Sequence, residues 1–139
     1  MLKQLCLVFI LAAGVIAIGN AMEADFAAQI SNERGVKVTV TPLNFPKEAK
    51  TWDFEVMLET HTQSLNEDMV KSSTLLADGK QYAPVVWEGA PPGGHHRKGL
   101  LRFKAVTPQP PSVELKIRLN GESAPRNFKW SLKGARNVN

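Results

Sequence analysis

Apolar residues recur at every second position through most of this chain, and that period demands a sheet with one buried face and one wet face. Val36, Val38 and Val40 alternate with Lys37, Thr39 and Thr41, and Trp52, Phe54, Val56 and Leu58 alternate with Asp53, Glu55, Met57 and Glu59. The same rhythm returns in Leu101, Phe103 and Ala105, in Val113 to Leu119, and in Phe128, Trp130 and Leu132. Two less regular stretches, Val70 to Leu76 and Tyr82 to Trp87, flank Asp78-Gly79, a strong hairpin-turn pair. Pro84 places the second of these at a sheet edge, because proline cannot donate to a ladder.

Seven short strands separated by Pro- and Gly-rich connectors predict an all-β fold, an immunoglobulin-like antiparallel β-sandwich, with a small Greek-key barrel as the alternative. Only Asp25 to Asn32 hints at a helical period, and it is too short to stand alone. Trp52, Phe54, Phe103, Phe128 and Trp130 are expected as core anchors. The sandwich is assigned to residues 35–139, preceded by a polar lead-in at 22–34.

Residues 1–21 read as an export signal. Lys3 supplies a positive start, Leu5 to Ile18 is an uncharged apolar run, and Gly19-Asn20-Ala21 places small residues before a cut at Met22. The run of about 14 residues is shorter than the ~20 that a membrane-crossing helix requires. The expectation is a periplasmic or secreted protein with no transmembrane span in its mature form. Cleavage also removes Cys6, the only cysteine. Thiol chemistry, disulfides and Cys-ligated metals are thereby excluded from the exported chain.

Of 17 basic and 13 acidic residues, only Lys3 lies in the leader, which leaves 16 against 13, a net charge of +3 with histidines neutral. These charges are scattered, without an aromatic-basic stripe, so nucleic acid is not an expected partner.

Chemistry is concentrated in three histidines. His61 ends the second strand, and His95 and His96 close the Gly/Pro-rich loop that begins at Gly89. Imidazole suits copper and zinc ions, and Asp68 or Glu67 could add a carboxylate, with Met57 or Met69 as soft sulfur for Cu(I). The candidate metal site is therefore His61, His95, His96 and Asp68. No nucleophile elbow or phosphate loop is present, and a hydrolase built on Glu55 and Glu59 or on a Ser–His pair ranks behind. The alternative to ligand binding is an interaction or scaffolding module of a cell-envelope assembly, its histidines structural and its sheet edges open to a partner strand.

Thr60-His61-Thr62, Leu65, Asp68, Leu75 to Gly79, Pro84, Trp87-Glu88-Gly89, Gly93-Gly94-His95-His96-Arg97 and Gly99-Leu100-Leu101-Arg102-Phe103 form one further pattern. It resembles a group of small exported bacterial β-sandwich proteins that share T-H-[ST]…D…W-x-G…G-G-H-H…G-x-L-x-F. That group carries no established activity, so the resemblance transfers no catalytic residue. It implies that the two histidine segments belong to one structural unit.

Overall fold

The computed structural model describes residues 26–46 and 48–133. The leader expected at 1–21 lies outside them, as does the start of the lead-in. Among the described residues, nine strands and one helical turn follow one another: β1 (Gln29–Glu33), β2 (Val36–Asn44), β3 (Thr51–Thr60), α1 (Met69–Ser72), β4 (Ser73–Ala77), β5 (Lys80–Tyr82), β6 (Val86–Gly89), β7 (His96–Lys104), β8 (Ser112–Ile117) and β9 (Arg126–Ser131). They form two antiparallel sheets, β1-β2-β3-β7-β6 and β5-β4-β8-β9. Leaving β1 aside, these orders correspond to A-B-E-D and C′-C-F-G of an immunoglobulin-like sandwich.

The alternation supplies the core. Every second residue of β3 from Trp52 to Thr60 is buried, and so are Val113, Leu115 and Ile117 of β8 and Phe128 and Trp130 of β9. All five expected aromatic anchors are inside. Phe45, from the β2–β3 connector, joins them edge-on against Trp52 and Phe54, with ring centroids 5.0 and 5.4 Å away. The outward residues of β3 meet opposite charge across the sheet: Glu59 pairs with Lys37 at 3.1 Å, Glu55 with Lys98 at 3.3 Å, and Asp53 with Arg102 at 2.8 Å. Bonding to Asp53 raises the Arg102 pKa above its ordinary value.

Three stretches depart from expectation. The end of the segment that hints at a helix is strand β1, joined to β2 by the two-residue turn Arg34-Gly35, both at positive φ as a type I′ hairpin requires. Val70 to Leu76 begins as a helical turn because Asp68 Oδ1 accepts from the amides of Val70 and Lys71. Tyr82 to Trp87 is two strands in different sheets, with the buried Pro84 at the crossing.

β1 is held from the far end of the chain. The Gln29 carboxamide accepts from the Lys129 amide at 3.1 Å and donates to the Lys129 carbonyl. Trp130 Nε1 donates to the Ala27 carbonyl at 2.9 Å. The first strand thus closes one side of the sandwich against β9.

Gly89 and Gly99 face each other between β6 and β7. A Cβ on Gly99 would lie 2.7 Å from the Glu88 carbonyl, from the Gly89 Cα and from Cζ2 of Trp87, so the Trp87 ring occupies space that only glycine leaves. Gly99→Ala should therefore cost about 1–3 kcal/mol through overpacking. Denaturant unfolding followed by tryptophan fluorescence checks this, and unchanged stability would show that β6 yields freely.

Candidate functional site

Register brings four connections to one end of the sandwich. β3 finishes there at Thr60, opposite the start of β2, and β7 starts there beside Glu59. β8 finishes and β9 starts there, at the paired residues Ile117 and Arg126. The β1–β2 turn, the β3–α1 loop, the β6–β7 loop and the β8–β9 loop are the result.

Two buried arginines fasten this end. Arg97 is 2% exposed. Its guanidinium donates to the carbonyls of Glu67 at 2.7 Å, Ala90 at 3.2 Å and Leu65 at 3.4 Å, and it lies over the Trp87 ring at 5.7 Å. Burial lowers the Arg97 pKa, with the charges of Glu67 and Asp68 opposing the shift, and the group stays charged at neutral pH. Buried Glu67 accepts from the Asn120 amide at 3.2 Å, which ties the β3–α1 loop to the β8–β9 loop. Arg126, at the start of β9, donates to the carbonyls of Ser31, Glu33 and Val36 and pairs with Glu122 at 2.6 Å.

Neither arginine stands out in the sequence as a functional residue, yet a signal for both exists. Arg97 shares strand parity with the buried Leu101 and Phe103, and Arg126 shares it with Phe128 and Trp130. Extending each alternation back to its first residue puts both inside.

Backbone bonds complete the fastening. The amides of Thr60 and Leu65 donate to the carbonyls of His95 and Gly94, and the Gly93 amide returns a bond to the Leu65 carbonyl at 2.7 Å. Thr60 Oγ1 donates to the Gly35 carbonyl at 2.7 Å, and Trp87 Nε1 donates to the Ala90 carbonyl at 3.0 Å.

The histidines sit on top of this frame. His61 and His96 are exposed, with ring centroids 6.3 Å apart and planes nearly perpendicular at 81°. His96 lies opposite Glu59 in the sheet. A cleft of about 370 Å³ beside His61 is lined by Lys37, Glu59, Thr60 and Thr62. His95 is exposed too, and its carbonyl receives the Thr60 amide. Asp68 is the helix cap, with its second oxygen 4.0 Å from Lys71.

The structure thus brings together two of the four expected ligands. Among the described residues, no group of three or more His, Cys, Asp or Glu is arranged to hold a metal ion. Glu67 and Met69 are buried, Glu67 in its bond to Asn120 and Met69 in the core. Glu55 and Glu59 are both held in cross-strand ion pairs. A larger cleft of about 540 Å³ lies between the β1–β2 turn and the β8–β9 loop, lined in part by the engaged Arg126.

None of the family models, curated proteins or solved structures compared with the chain matches it. Among the described residues, no helix is long and apolar enough to cross a membrane.

Arg97→Leu should strip three carbonyls of a charged donor and cost about 3–5 kcal/mol, in the range for breaking a buried charged contact. Hydrogen exchange is the sharper readout. The amides of Thr60, Leu65 and Gly93 should lose protection together, whereas loss confined to one of them would mean that the loops are held separately.

Proposed function

We propose that the protein is an exported, non-enzymatic ligand-binding sandwich that takes a transition-metal ion, copper or zinc, at its loop-bearing end through His61 and His96. The observation that carries this reading is the paired exposure of the two rings, 6.3 Å apart at their centroids. An ion ~2.0–2.1 Å from an imidazole nitrogen lies about 3.2 Å from that ring's centroid, so two ligating rings span up to roughly 6.4 Å. The observed separation falls at the open end of that span, and side-chain rotation of exposed histidines reaches more bent arrangements.

A second consideration supports the same residues. Much of the polar motif is already engaged in holding the fold. Thr60 bonds Gly35, Asp68 caps α1, Trp87 bonds Ala90, Gly93 and Gly94 bond Leu65, and Arg97 binds the loops. The three imidazoles have no hydrogen bond or ion pair to any described residue, and the one ring contact is between His61 and His96. These residues are left over by folding and available for a ligand.

Glu59 is the nearest carboxylate in register, but it is already shared with Lys37. Solvent therefore completes the coordination shell in this reading, as it does in open sites. Export into a compartment poor in reduced thiols favours such a site, since thiolates outcompete imidazole for soft and borderline ions.

Calorimetric titration with Cu(II) and Zn(II) tests the proposal. His61→Ala and His96→Ala should each weaken binding by about 10-fold or more, the size of one lost ligand contact at ~1.4 kcal/mol. His95→Ala should leave the affinity within about 2-fold. Equal affinity in the His61/His96 double variant would refute the assignment.

A further inference from the structure

A third cleft lies on the outer face of the β5-β4-β8-β9 sheet, and its lining is chemically one-sided. It encloses about 190 Å³ between Lys71, Ser72, Thr74, Gln81, Lys116 and Arg118, with Pro125 as a wall. Each of the six polar residues carries a side-chain donor, three of them are cationic, and no carboxylate lines the space. We propose that this cleft binds a tetrahedral oxyanion of the phosphate class, either free or as the headgroup of an anionic lipid.

The topology explains why these donors converge. Thr74 of β4 lies opposite Lys116 of β8. One step further along, the Arg118 amide bonds the Ser72 carbonyl at 2.9 Å, so the ladder continues past the strand ends. Gln81 of β5 lies opposite Leu76, on the same outward parity as Thr74. The helical turn set by Asp68 delivers Lys71 from the side. Two cross-strand rows and one turn therefore put hydroxyl, amide and cationic donors around one depression.

Local acids offset this charge only in part. Lys116 pairs with Glu114 at 3.7 Å and Lys71 lies 4.0 Å from Asp68, whereas Arg118 has no side-chain partner among the described residues. Lys116 and Arg118 are two residues apart on one strand line, where like charges repel. An anion between them relieves that repulsion and gains charge-assisted hydrogen bonds. The size limits the ligand, since 190 Å³ is below the roughly 300–1,000 Å³ of pockets that enclose organic molecules. It suits a compact oxyanion whose remaining face stays in solvent.

The test is a titration of the protein with inorganic phosphate at low ionic strength, read by amide and side-chain NMR. Saturable shifts confined to Lys71, Ser72, Thr74, Lys116 and Arg118 are expected, with at least a ~10-fold loss of affinity in Lys116→Gln and in Arg118→Gln. Unchanged signal dispersion shows that each variant is folded. Small non-saturating shifts spread over all lysines, or equal affinity in the Lys116/Arg118 double variant, would overturn the proposal.

Vesicles of phosphatidylglycerol in phosphatidylcholine, with pure phosphatidylcholine vesicles as control, separate the two sources. Phosphate-competed sedimentation with the anionic vesicles alone, lost in the double variant, identifies a headgroup. Saturable phosphate binding without sedimentation identifies the free anion.

Discussion

A guanidinium removed from water has to find its hydrogen bonds inside, and the two terminal nitrogens of Arg97 find them on the backbone of two loops. Taking a charge out of solvent costs several kcal/mol unless it is met by partners. Here the partners are the carbonyls of Leu65, Glu67 and Ala90. Burial of the arginine and placement of the loops are therefore one event. The β3–α1 loop gives Leu65 to the core and the β6–β7 loop gives it no residue, so the buried charge adds to what packing supplies there. His61 and His96 each adjoin a segment that Arg97 holds.

The two sheets and their core were legible because burial alternates wherever a strand has one wet face. Trp52 to Leu58, Val113 to Ile117 and Phe128 to Trp130 show the period without interruption. β1 was not legible. Its residues are half-buried or exposed, and it is held by pairing with β2 and by side-chain bonds to β9 rather than by a buried face. Such a strand writes no period. Tyr82 to Trp87 misleads for a different reason, since a continuous apolar run does not reveal that the chain changes sheets at Pro84.

The candidate site was legible in its residue types and not in its geometry. Histidines near strand ends could be read directly, but which rings face each other depends on register across β3 and β7. Asp68 illustrates the limit. A carboxylate near a histidine in sequence is chemically a ligand, yet two local amides claim it first and turn it into a cap. Glu59 shows the reverse, for its closeness to His96 comes from a strand pairing that links distant parts of the chain.

The bonds from β9 to the start of the domain carry a kinetic consequence. Gln29 to Lys129, Ala27 to Trp130, and Ser31, Glu33 and Val36 to Arg126 span 90 to 103 residues of chain. Contacts that distant form late, because the intervening segment must first be ordered. During synthesis β1 can pair with β2 at once, but its bonds to β9 wait until that strand has emerged. The β1-β2 hairpin therefore stays unfastened to the second sheet until β9 arrives.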